Sequence, residues 1–134
     1  MQEGFSRGFY ITMLVVSIVF VYIVFTVLPD TTKTVFVGEG SLMEPTLLDG
    51  DEVVVSTGKL PREGDIIVFK CKDKCVEFPG EIMTKRLDTI NENGCYWVLG
   101  DNSDVSYDSR TFGELCPKDL ELYGVVVDVK RKDK

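Results

Sequence analysis

The sequence predicts a mostly β protein, a compact antiparallel β domain carried on one N-terminal transmembrane helix. Three observations predict it: an uncharged apolar run over residues 9–28, six short β-branched and aromatic runs after it, and turn residues between those runs. At 134 residues the chain suits one domain and is too short for two.

Only Thr12, Ser17, Thr26, Tyr10 and Tyr22 interrupt the apolar character of residues 9–28. About 20 such residues cross the roughly 30 Å hydrocarbon core of a bilayer as a helix. A cleavable signal would be shorter and end in a small-x-small site, whereas this run ends in Val27-Leu28-Pro29, so a retained anchor is expected. Arg7 and the amino terminus flank one side, Asp30 and Lys33 the other. The positive-inside rule then places residues 1–8 in the cytoplasm, the anchor at 9–28, a linker at 29–34 and the β domain, 35–134, on the extracytoplasmic side.

Strands are expected at 35–37, 52–56, 65–69, 82–90, 95–99 and 123–129, where apolar residues take the strand period. Asn93-Gly94 suits a two-residue hairpin turn between a strand ending near Glu92 and one starting near Cys95. Residues 47–51 and 60–64 are also turn-like, each with a glycine where positive φ is useful.

The net charge of −7 argues against nucleic acid or a polyanionic surface as the principal partner. The basic tail Lys130-Arg131-Lys132 reads as a solvated end, diluted by Asp128 and Asp133. Cys71, Cys75, Cys95 and Cys116 all follow the anchor, and an even number of thiols suits an oxidising compartment. The expected pairs are Cys71 with Cys75 and Cys95 with Cys116. A four-thiolate zinc site is the alternative, although the second pair lacks the close spacing of a zinc ribbon.

The chain has no histidine, which excludes Ser-His-Asp and Cys-His catalysis and the usual histidine metal sites. A desolvated lysine can replace the imidazole, because burial favours its neutral amine. Lys85 is the candidate: on a half-buried strand it shares a face with Met83, while Arg86 turns to the other. Taken alone it reads as an edge-strand lysine facing water. Residues 100–113, rich in Asp, Asn and Ser, read alone as a surface loop, yet they follow an apolar strand directly. They also contain Asp108-Ser109-Arg110, able to lock the loop by a charge-assisted bond.

Residues 100–113 match Gly-Asp-Asn-x-x-x-Ser-x-Asp-Ser-Arg-x-x-Gly at every fixed position, and Met43-Glu44-Pro45-Thr46-Leu47, Gly50-Asp51, Gly64-Asp65-Ile66 and Lys85-Arg86 precede them in order. This set of boxes resembles the type I signal peptidases over nearly the whole chain. The resemblance implies the signal-peptidase type of β domain and a serine–lysine dyad without cofactor or metal. Lys85 would be the general base and Ser106 the hydroxyl that orients its amine. Asp108 and Arg110 would be the ion pair holding the site, with Arg86, Asp101, Asn102 and Ser109 supporting it. Met43, Pro45 and Thr46 match the turn that presents the nucleophile, and Gly40 stands beside the oxyanion hole.

Counted back from Met43, the nucleophile position is Leu42, which has no atom able to attack a carbonyl. Three accounts follow: a substituted but otherwise intact protease; a substitute nucleophile at Ser41; or a noncatalytic relative that binds extended peptides or assists surface-protein or pilus assembly. The partners implied are preprotein signal-peptide segments, the lipid bilayer and other secretion components. Met43 and Phe78 are weighed both as lipid contacts and as core, with core the commoner role for such residues.

Overall fold

The apolar run folds as a helix. In the computed structural model, which describes residues 4–27, 32–36 and 41–132, α1 (Arg7–Val27) carries exposed apolar side chains on all sides and is long and apolar enough to cross a membrane. Its serine and threonine hydroxyls are satisfied internally: Thr12 donates to the Gly8 carbonyl, Ser17 to that of Leu14 and Thr26 to that of Tyr22, each at 2.8 Å. That removes much of the cost of placing them in apolar surroundings.

Among the described residues, β1 (Thr32–Phe36), β2 (Glu52–Ser56), β3 (Ile66–Cys71), β4 (Ile82–Ile90), β5 (Tyr96–Leu99) and β6 (Leu120–Lys130) form one antiparallel sheet in the order β1-β2-β6-β3-β4-β5. The predominance of antiparallel β structure behind one apolar helix is the architecture expected. Boundaries differ. β1 begins at Thr32, inside the span read as linker, because Thr32 and Lys33 pair with Ser56 and Val55; Leu28 to Thr31 and Val37 lie outside the described residues. β6 starts earlier than expected because Leu120 and Leu122 pair with Cys71 and Phe69 and so continue the buried ladder.

The β4–β5 connection is not the two-residue turn that Asn93-Gly94 suggests. Asn91 Oδ1 accepts from the amides of Asn93 at 2.9 Å and Cys95 at 3.0 Å, which ends β4 at Ile90 and leaves a longer loop. A side-chain amide here outcompetes the ladder. Gly94 supplies the positive φ of 75° that the loop requires.

β3 lies inside the sheet, and Ile67, Val68 and Phe69 are fully buried, so both of its faces are covered. On one face Ile67, Phe69, Met83, Leu87, Val98 and Val125 pack with Leu115 and Leu120. On the other, Met43 and Leu47 cover Val53, Val55 and Val68. Each such side chain contributes about 1.5–3 kcal/mol by leaving water. Met43 is therefore core rather than a lipid contact, whereas Phe78 is 45% exposed.

Both expected disulfides are present, Cys71–Cys75 and Cys95–Cys116. Every thiol is consumed, so the four-thiolate zinc alternative falls. The basic tail is not simply solvated either: Arg131 Nη1 donates to Asp51 at 2.6 Å, and Nη2 reaches the Thr46 carbonyl at 3.1 Å. A charge buried at residue 51 explains why it needs a partner.

Candidate active site

The alternation of β4 builds the centre of the site. Met83, Lys85 and Leu87 point into the core, with Lys85 only 1% exposed, opposite Ile67 on β3. β4 is flanked by β3 and β5, so this lysine is not on an edge strand. Its Nζ lies 3.2 Å from Ser106 Oγ. Burial holds the amine down at about 8 from an ordinary 10.5, with Asp108 pulling it up and Arg110 pushing it down. A neutral fraction that becomes substantial at mildly alkaline pH makes it a competent proton acceptor there.

Asp108 is fully buried at the N-cap of α2 (Ser109–Phe112). Burial alone would raise its pKa. The Arg110 guanidinium and the Gly100 amide outweigh that, and with the Ser106 hydroxyl and Arg110 amide they hold the carboxyl well below the usual range. Arg110 Nε and Nη2 approach it at 2.9 and 2.6 Å, and the Gly100 amide at 2.9 Å. Ser109 Oγ accepts from the Val98 amide at 2.9 Å, which ties α2 to β5. The Asp-Ser-Arg run thus fastens its loop at three consecutive residues.

Arg86, on the opposite face, forks onto Asp101 with Nε–Oδ1 at 2.8 Å and Nη2–Oδ2 at 2.6 Å, and Nη1 donates to the Gly64 carbonyl at 2.8 Å. The bond with Arg86 depresses the Asp101 carboxyl. Thr46 Oγ1 donates to the same carboxylate, so one carboxyl joins β4 to the 41–47 turn. Asn102 completes the join: its Nδ2 donates to the Ser41 carbonyl at 3.0 Å and its amide to the Leu42 carbonyl at 3.1 Å.

Gly100 makes the approach possible. A Cβ there would overlap Ser106 and lie 2.7 Å from the Leu42 carbonyl oxygen. Leu42's backbone and Ser106's hydroxyl therefore meet around one point beside Lys85. Ser41 and Leu42 are both half-buried, and the Met43 side chain is buried beneath the turn. Pro45 is exposed. Gly40 lies outside the described residues.

Three supporting residues escaped the sequence reading. Gly100 stood in the box with no mark of its close contact, and Arg131 stood in a tail with no local pattern. Asp51 carried a weak signal, the Gly50-Asp51 step just after the turn. Its carboxylate accepts from the Leu48 amide at 3.0 Å as well as from Arg131.

A buried lysine within hydrogen-bond distance of a serine, framed by two carboxylate–arginine forks, can accept a proton from a hydroxyl presented beside it and can activate water. No curated protein matches the chain. The model of one family, Peptidase S24-like, matches residues 19–127, from within α1 into β6, and so covers every site residue just described except Arg131. The chain belongs to the Peptidase S24-like family.

Proposed function

We propose that this protein is a signal peptidase I-type serine endopeptidase, anchored by α1 with its β domain on the extracytoplasmic side, that removes signal peptides from exported preproteins. The observation that carries the reading is the Lys85–Ser106 contact of 3.2 Å in a chain without histidine. In the working form neutral Lys85 takes the proton of the nucleophile as it attacks the scissile carbonyl. The resulting alkoxide is stabilised by backbone amides. The protonated Lys85 then supplies the leaving amine with its proton, and on deprotonating a water it releases the acyl-enzyme. Ser106 orients the amine, and Asp108 with Arg110 keeps Ser106 in place.

The substrate is an extended segment just past a hydrophobic signal, delivered at the membrane surface where α1 holds the domain. Preprotein segments, the bilayer and other secretion components are its partners, and nucleic acid is not. No cofactor or metal takes part.

Leucine closes the acyl-enzyme route through position 42. Ser41, one residue earlier in the same turn, is the hydroxyl that remains. The deciding experiment incubates detergent-solubilised full-length protein with a preprotein. Leu42→Ser is expected to cleave, and Lys85→Ala in that background to abolish cleavage. Cleavage by the unaltered chain that Ser41→Ala removes would move the nucleophile to Ser41. No cleavage by any form, in detergent or in lipid, would sink the peptidase reading.

A further inference from the structure

Tyr107 stands between the two residues whose positions define the site. Ser106 makes the contact to Lys85, and Asp108 takes the Gly100 amide and the Arg110 fork. The Tyr107 ring meets Phe78 edge-on with centroids 5.3 Å apart and Phe112 at a tilt with centroids 5.2 Å apart. Both neighbours have anchors besides Ser106. Phe112 ends α2, whose N-cap is Asp108. Phe78 rides on the loop after β3, just beyond the ring that the Cys71–Cys75 bridge closes, and is braced to it by Phe78 N to Cys75 O at 3.0 Å and Gly80 N to Cys71 O at 2.9 Å.

The Ser106 hydroxyl is held by the Asp108 carboxylate as well as by Lys85, but the backbone of Ser106 has less support. Its amide donates to the Asn102 carbonyl at 3.1 Å, within the same loop, and a neighbouring Val105 is exposed. A displacement of about 1 Å would carry its hydroxyl out of hydrogen-bond range of Lys85.

We propose that Tyr107 is a positioning residue: held between Phe78 and Phe112, its ring fixes the backbone that carries Ser106 and so keeps the hydroxyl against the Lys85 amine. This rests on the Lys85–Ser106 site as read above and extends it to the β3–β4 loop, which becomes part of the site's framework. The ring faces and edges do this, not the phenol, because the hydroxyl's contact with the Glu77 amide is long at 3.5 Å.

The groups facing Lys85 define what loosening Ser106 does. Asp108 and Arg110 act on it from the loop, Ile67 opposes it on β3, and Met83 and Leu87 flank it on β4. Once Ser106 moves, water reaches the amine and its desolvation is relieved.

The test titrates full-length protein carrying ¹³C-labelled lysine in detergent micelles, following the Lys85 side-chain resonance, assigned by its loss in Lys85→Met. Tyr107→Ala is expected to raise the Lys85 midpoint from about 8 toward 10.5, by about one unit or more, whereas Tyr107→Phe leaves it in place. Phe78→Ala, at a half-exposed position, is expected to move it the same way. An unmoved midpoint in Phe78→Ala and in a folded Tyr107→Ala overturns the proposal, as does an equal shift in Tyr107→Phe. Because the readout is the lysine's own titration, it stands apart from cleavage: absence of cleavage by every form would sink the peptidase reading while leaving this result intact.

Discussion

Arg86 and Asp101 face each other in two parallel bonds of 2.8 and 2.6 Å, and the carboxylate takes a third from Thr46. A planar guanidinium is what makes both bonds at once; an ammonium in the same place can make one. Arg86→Lys should therefore lower stability by about 1–2 kcal/mol, the side chain being partly exposed. Urea unfolding of the two proteins checks it, and an unchanged midpoint would show that the fork is not holding the turn.

Lys85 gives the molecule a pH signature. Its folded-state pKa of about 8 lies below the ordinary 10.5, so the folded state disfavours the ammonium. That penalty is present in full below pH 8 and is relieved as pH rises from about 8 to 10.5. The whole shift corresponds to about 3 kcal/mol. Lys85→Met should thus be more stable than the parent at pH 7, and its stability should lack the parent's alkaline rise. Thermal melts at pH 7 and pH 10 on both proteins measure it.

Gly100→Ala tests the crowding beside the lysine. The added methyl meets Ser106 and, 2.7 Å away, the Leu42 carbonyl, which belongs to the backbone and cannot rotate aside. The expected loss is about 1–3 kcal/mol, with cleavage by the Leu42→Ser form lost as Ser106 is displaced. A fully stable variant with an unshifted Lys85 titration would contradict the close approach.

The two disulfides close loops of different length, with sequence separations of 4 and 21. Chain-entropy arguments give about 2 kcal/mol for the shorter and about 3 kcal/mol for the longer. Replacing Cys95 and Cys116 together by serine should lower the melting temperature more than replacing Cys71 and Cys75. Calorimetry on the two double variants decides the order.

Local pattern revealed a good deal of this molecule. The inward turn of Lys85 follows from its sharing a strand face with Met83, and the arms of the Asp108–Arg110 fork lie only two residues apart. Contacts made across the chain left no such trace. Arg131 reaches Asp51 from a tail whose neighbours are charged, and nothing periodic in that tail distinguishes it from solvent-exposed lysines. The Asn93-Gly94 signal was real in placing a connection there, but the Asn91 side chain captured two amides and lengthened it. Propensity for a turn does not say which amide the nearest carboxamide will take.

Asn102 holds the 41–42 step through carbonyl oxygens, which every amino acid possesses. Neither bond depends on which side chain residue 42 projects. Since some leucine and serine codons differ by a single base, a leucine and a serine at this point can lie one mutation apart, with both of these bonds kept.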